Sequence, residues 1–316
     1  MKEYVIVRVQ GLKLHLLDKR DYERLVDNPE ARERYIGVDV FKDPLRARRV
    51  VYRKLRDRAK FLGELNPEYA KFCDLFLLRI ECENVKALLR AVSSEGWELP
   101  WIPFENYTRI RHIQRLGDVK EVLEYVDKST PLSVSYEHIR LYLGEPRRVH
   151  VEMILDAAYY EALKREAKRV FSESVRQLID LDALKMLTYW LAVAPNECYE
   201  LVHLGLLDPL QPSWMLEKGG IRVSNIAEAL HALRSSDLLD LVSKRQVGRL
   251  CESLEKRYVG ELRKALLKEK FTDVSVYYYI YMCYTEARNV DRIVQGVTRG
   301  APREIILSSL ILPERE

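Results

Sequence analysis

Three acidic residues in this chain of 316 residues keep the same company. Glu81 is followed by Asn84, Val85 and Leu88, Glu286 by Asn289, Val290 and Ile293, and Asp180 by Ala183, Leu184 and Leu187. Wound as a helix at about 100° per residue, the Glu81 segment gathers Leu78, Val85, Leu88, Leu89 and Val92 on one side. Arg79, Glu83, Lys86 and Arg90 fall opposite and read as a solvated stripe. Asp74, Glu81 and Asn84 fall within the apolar side. A carboxylate there must be paired, protonated or open to a wet cavity, because an isolated buried charge costs several kcal/mol even after relaxation. One reading is structural, with the carboxylate tied to a Tyr or Arg of a neighbouring helix. Tyr4 and Arg8 are the candidates for Glu81, and Tyr159 or Tyr160 for Asp180. In the other reading the carboxylates line a polar cavity that receives a partner.

Other chemistry lacks its residues. A nucleotide site needs a Gly-rich loop ending in Gly-Lys-Ser/Thr, whose amides cradle phosphates, and none is present. Gly296 through Gly300 reads instead as a helix end with glycine in the left-handed region. His15, His112, His138, His150, His203 and His231 never recur one turn apart or beside a cysteine at ligand spacing, so no metal is expected. Cys73, Cys82, Cys198, Cys251 and Cys283 form no CxxC pair and read as buried reduced thiols. No nucleophile elbow supports a hydrolase, and neither a cofactor nor a small-molecule substrate is expected.

The charge balance, 52 basic against 48 acidic residues, does not demand nucleic acid or anionic lipid. Its most basic segment, Arg46, Arg48, Arg49, Arg53, Lys54, Arg56, Arg58 and Lys60, reads as a solvated or partner-facing helix surface rather than a nucleic-acid interface. The tyrosines from Tyr277 to Tyr284 read as helix packing. No apolar run approaches the roughly 18 residues that cross a bilayer, and the first residues lack a signal peptide's apolar core. The expected location is therefore cytoplasmic, with any membrane contact peripheral or through a partner.

The elements that must carry these residues are helices throughout. Asn66-Pro67 opens a helix to about Ser93 with Gly96 just beyond it, Asp43-Pro44 opens the basic helix to about Leu65, and Asn28-Pro29 and Asp118-Glu121 are further starts. Further long helices are expected over Val149–Lys168, Leu250–Lys270 and Val274–Gln295. The segment from Gly96 to His112, with two Trp and two Pro, fits neither regular element and reads as a connector. The three signature carboxylates lie roughly 100 residues apart, a domain-sized period longer than the roughly 20 to 50 residues of solenoid repeats. The expected architecture is therefore all-α, in three related helical-bundle modules over residues 1–105, 106–210 and 211–316.

The repeated signature, with the opening Tyr4 to Lys13, Asp21 to Leu25, Val151 to Tyr160, the Gly219-Gly220 loop and the ending through Gly300-Ala301-Pro302, resembles the C subunits of archaeal and bacterial A/V-type rotary ATPases, related to the eukaryotic V-ATPase d subunit. The resemblance spans nearly the whole chain. It implies three pseudo-symmetric modules arranged as a funnel, seated on the membrane proteolipid ring and gripping the central shaft subunits. The implied role is a non-catalytic central-stalk rotor component that transmits torque in a proton- or sodium-translocating ATPase or ATP synthase, bound peripherally at the membrane. Its repeated positions, Glu81, Asn84, Arg90, Asp180, Lys185, Glu286 and Asn289, with Tyr4 and Arg8, would be structural or cavity-lining. Ala183 departs from the family's usual Asn, Asp291 from its usual basic residue, and Gly296-Val297 lacks a Lys often found after that Gly. A different class, a cytoplasmic helical scaffold or adaptor unrelated to rotary motors, fits the bare residues as well.

Overall fold

A computed structural model describes residues 2–92, 102–109, 112, 118–217 and 220–312, and every regular element among them is helical. The helices are α1 (Lys2–Leu12), α2 (Lys19–Asp27), α3 (Pro29–Ile36), α4 (Pro44–Leu65), α5 (Pro67–Val92), α6 (Val119–Ser129), α7 (Tyr136–Leu143) and α8 (Arg148–Val170). They continue as α9 (Glu173–Val193), α10 (Pro195–His203), α11 (Ser213–Glu217), α12 (Ile226–Ala232), α13 (Leu239–Ser243), α14 (Val247–Lys268), α15 (Val274–Thr298) and α16 (Arg303–Ser308). Gly96, Gly117, Gly219 and, of the Trp- and Pro-rich connector, residues 96–101, 110 and 111 lie outside the described residues.

Short polar residues start the helices as their sequence positions suggest. The Asp18 and Asp21 side chains each accept the other's amide at 2.9 Å, a reciprocal cap on α2. Asn28 caps α3 ahead of Pro29, Asp43 caps α4 ahead of Pro44, and Asp118 accepts the Glu121 amide to start α6. Gly300 follows α15 with φ at +67°, the left-handed ending that glycine adopts without strain.

The chain divides into two compact units, one made of residues 1–74 and 255–316, the other of residues 75–254. In the first, α4 packs along α15, and Tyr22, Tyr52, Leu55, Leu62, Tyr277 and Tyr281 are buried. The tyrosines pack with polar anchors, as an aromatic run in a helix pair should. The Tyr258 and Tyr277 hydroxyls bond each other at 2.9 Å, and Tyr281 donates to Glu255 at 2.7 Å. Two close approaches fix this unit. A Cβ on Gly63 would sit 3.0 Å from the Ala70 backbone, and one on Gly296 would sit 2.7 Å from Ile306 Cγ1, where α16 lies against α15.

In the second unit α5, α8 and α9 enclose Leu88, Leu155, Leu163, Ile179, Leu184 and Trp190. Here the charged stripe of α5 is a solvated face only in part, with Arg90 exposed, Arg79 and Glu83 half-buried and Lys86 buried. Lys86 is 3% exposed and bonds Asp156 on α8 at 2.8 and 3.0 Å. One turn on, Arg90 grips both oxygens of Glu152, and Arg79 faces the fully buried Asp182 of α9 at 3.3 Å. Lys86 is buried because α8 carries Glu152 and Asp156 one turn apart, antiparallel to Lys86 and Arg90 and in matching register, while Arg90 stays exposed. Asp74 departs in the opposite direction and is exposed, although the helical wheel puts it among apolar residues. None of the five cysteines is in a disulfide, and four are buried.

Candidate functional site

Glu81 stands on α5 with no solvent exposure. Its carboxylate accepts the Tyr107 amide at 2.9 and 3.1 Å and the Thr108 amide at 3.0 Å, along with the Asn106 amide and the Thr108 hydroxyl. One turn further along α5, Asn84 bonds Ile102 in both directions, donating to its carbonyl at 2.8 Å and accepting its amide at 2.7 Å. Together the two side chains hold an irregular stretch of main chain on the helix. That stretch, half-buried and non-helical, satisfies there the polar groups that its main chain does not pair within a helix. Burial lifts the Glu81 carboxyl above its ordinary value, and the amide donors offset only part of the lift.

Asp180 on α9 does comparable work with different partners. It accepts the Ser213 amide at 3.0 Å, the Ser213 hydroxyl at 3.1 Å and the Lys164 ammonium at 2.6 Å. Ala183 stands where the signature usually has Asn and offers no amide, yet the two-way amide clamp is present nearby. The fully buried Gln211 donates to the Val223 carbonyl at 3.0 Å and accepts the Val223 amide at 2.9 Å. The side chain that clamps main chain has moved from the helix to the segment that the helix anchors.

Glu286 on α15 accepts the Leu17 amide at 2.7 Å and the Tyr35 hydroxyl at 2.8 Å, and it pairs with the Arg58 guanidinium. Asn289 repeats the Asn84 geometry on Ile311, donating to its carbonyl at 2.7 Å and accepting its amide at 2.9 Å. Beyond Glu286 on the same helix, Asp291 takes the place of the usual basic residue. Arg48 and Tyr52 of α4 meet it at 2.5 and 2.9 Å, so its negative charge is matched from the facing helix. Thus two arginines of the basic helix, Arg48 and Arg58, are spent inside the unit, while Arg46, Arg49, Arg53, Arg56 and Lys60 remain exposed.

The predicted residues therefore separate. Glu81 with Asn84, and Glu286 with Asn289, are brought together on shared stretches of helix. Tyr4 is 61% exposed and Arg8 is exposed on α1, while the Glu81 carboxylate is filled by main-chain amides. Tyr160 donates to Asp182 at 3.0 Å, and Tyr159 donates to the Phe76 carbonyl. Lys185 pairs with the same Asp182 at 2.8 Å, and Arg90 with Glu152. Of the three carboxylates, Glu286 is the one that meets both a Tyr and an Arg among the described residues. The residues that sequence reasoning missed are Asp182, the Lys86–Asp156 pair with Trp190 donating to Asp156 at 2.9 Å, and Gln211. The matched spacing of Lys86 with Arg90 and of Glu152 with Asp156 was the available signal for one of them.

Among the described residues no group of three or more His, Cys, Asp or Glu is placed to hold a metal ion, and no helix is long and apolar enough to cross a membrane. Fold and site together define an all-α protein whose buried polar side chains hold its own main chain in place. The family model described as ATP synthase (C/AC39) subunit matches residues 5–309, and the chain belongs to that family. No individual curated protein matches the sequence closely enough to add to this.

Proposed function

We propose that this chain is the central-stalk rotor component of an A/V-type ATPase or ATP synthase, coupling the central shaft subunits to the membrane proteolipid ring and transmitting torque without catalysing a reaction itself. The observation that carries the proposal is the family match over residues 5–309. A torque-transmitting body must be stiff, and the buried carboxylates suit that need, since each fixes an irregular segment to a long helix. In this reading the signature positions are structural. Three related modules, over residues 1–105, 106–210 and 211–316, and their arrangement as a funnel belong to the same proposal. So do a cytoplasmic location and a peripheral attachment to the membrane through the complex. The shaft contacts are mainly polar and those with the ring more apolar.

Co-purification of the tagged chain from its native membranes in mild detergent, followed by mass spectrometry, tests the reading. Recovery of shaft and proteolipid subunits is the expected result. A chain recovered alone at low and high salt alike would favour a free helical scaffold instead.

A further inference from the structure

The basic helix α4 is two-sided. Arg48 and Arg58 turn inward, where acids of α15 receive them. Arg48 meets Asp291 at 2.5 Å, and Arg58 pairs with Glu286. Outward face Arg46, Arg49, Arg53, Arg56 and Lys60, all exposed, and their alternating spacing of three and four residues sets them in one straight seam. At about 1.5 Å and about 100° per residue the seam runs about 21 Å along the helix within an arc of about 80°. Among the described residues none of its arginines has an ion-pair partner, and only Lys60 reaches an acid, Glu64, at 3.8 Å. Like charges one turn apart weaken a helix, and the seam repeats that contact at every step. Surface lysines of α6 and α14 sit beside acids instead. Lys120 and Lys128 reach Glu124 at 4.0 and 3.8 Å, and Lys264 reaches Glu261 at 2.8 Å. A seam that breaks this local rule, with no compensation inside the fold, marks a functional surface.

We propose that the α4 seam is a docking face for an acidic α-helix of a partner protein, one whose Asp or Glu side chains recur at the same alternating spacing. The partner is defined by its charge and shape, independently of the rotor reading. Three features select that occupant. Positions spaced alternately three and four apart form the stripe that a second helix meets along its whole length. All but one of the cations are arginine, whose planar fork takes a carboxylate through two parallel bonds. Finally, the chain already joins its own helices in this way. Arg48 and Arg58 meet Asp291 and Glu286 of α15, and Lys86 and Arg90 of α5 meet Asp156 and Glu152 of α8. The edge of the seam speaks against phosphates. Asp57 is exposed there, a charge that a nucleic-acid backbone or an anionic lipid surface repels. Between Arg46 and Lys60 the arc holds no apolar side chain to enter a bilayer.

Fluorescence anisotropy of a labelled probe, titrated with the full chain, tests the assignment. The probe is an alanine-based helical peptide of about three heptads with Glu at the matching positions. A second peptide of identical composition spreads the same Glu residues around the helix. The first should bind about tenfold tighter or more. Arg49→Glu with Arg53→Glu should weaken it about tenfold or more, and Arg49→Gln with Arg53→Gln by less. The same reversal at Arg165 and Lys168, exposed on α8, should change it by less than about twofold. Failure of the first peptide to bind, equal affinity for the two peptides, or equal loss from the α4 and α8 reversals would overturn the proposal. So would tighter binding to phosphatidylglycerol vesicles or to duplex RNA than to the first peptide. The comparison of peptides uses the unaltered chain and decides even where a variant fails to fold.

Discussion

Glu81 and Glu286 occupy the same place in a repeated signature, yet they are neutralised in different ways. Glu81 is surrounded by main-chain amides and a hydroxyl, all uncharged, whereas Glu286 meets a guanidinium, a phenol and a single amide. Partial charges from several dipoles can replace one full charge when the geometry is fixed by a helix and a clamped strand. A pattern that repeats the acid therefore does not fix the electrostatics around it. The same freedom explains Asp291, whose reversed sign is met by Arg48 and Tyr52.

The sharpest way to break the comparison is to remove one charge. Glu286→Ala should cost about 3–5 kcal/mol in denaturant unfolding, because it removes the buried partner of the half-buried Arg58 and leaves the Tyr35 hydroxyl and the Leu17 amide without their acceptor. Adding Arg58→Met to Glu286→Leu should recover much of that loss, while no single second change can rescue Glu81→Ala. Equal rescue at both sites would remove the distinction. The amide clamps should be alike where the carboxylates differ. Asn84→Ala, Asn289→Ala and Gln211→Ala should each cost about 1–3 kcal/mol, the penalty for leaving buried main-chain groups unpaired. A cost near zero at Gln211 would show that the clamp did not move there in compensation for Ala183.

The smallest effect lies in the pH dependence. Burial holds the Glu81 carboxyl above its ordinary value of 4.5. Burial would also lift Asp182, but Arg79, Lys185 and Tyr160 bring it below its ordinary 3.8. A raised carboxyl binds its proton sooner in the folded state, so the Glu81 contribution improves as pH falls from neutral toward its ordinary value. A lowered one gives stability above the ordinary value and loses it as pH falls through the folded value. The stability of the unaltered chain relative to Glu81→Gln should therefore rise from pH 7 to about 4.5. Its stability relative to Asp182→Asn should instead hold over that range and fall in stronger acid. Denaturant titrations decide the sign, and the same trend at both positions would refute the contrast.

The helices were legible in the sequence because their signals are local. Caps such as Asn28-Pro29 and Asp43-Pro44 act within one turn, and the bounds of α4 and α5 follow from them. The signature carboxylates were legible because each interrupts an apolar stripe. Their partners were not, since the amides of Asn106, Tyr107 and Leu17 leave no mark in side-chain type. Helix α1 misleads for a related reason. With Val5, Ile6, Val7, Val9 and Leu12 around its circumference, no wheel can choose its buried side, and Tyr4 falls outside. Lys86 in the charged stripe of α5 misleads because the acid that pairs with it, Asp156, lies on α8, 70 residues away.

The bond between Leu17 and Glu286 also sets a timetable. Synthesis delivers the acceptor 269 residues after the donor, a delay of about 13–54 s at typical elongation rates of about 5–20 residues per second. Residues 75–254 are all made within that interval. The unit they form can mature on the ribosome while α1 to α4, with Val5, Val9 and Leu55 still uncovered, wait for α15. The nascent chain thus carries its first helices as an unfinished half until α15 is made.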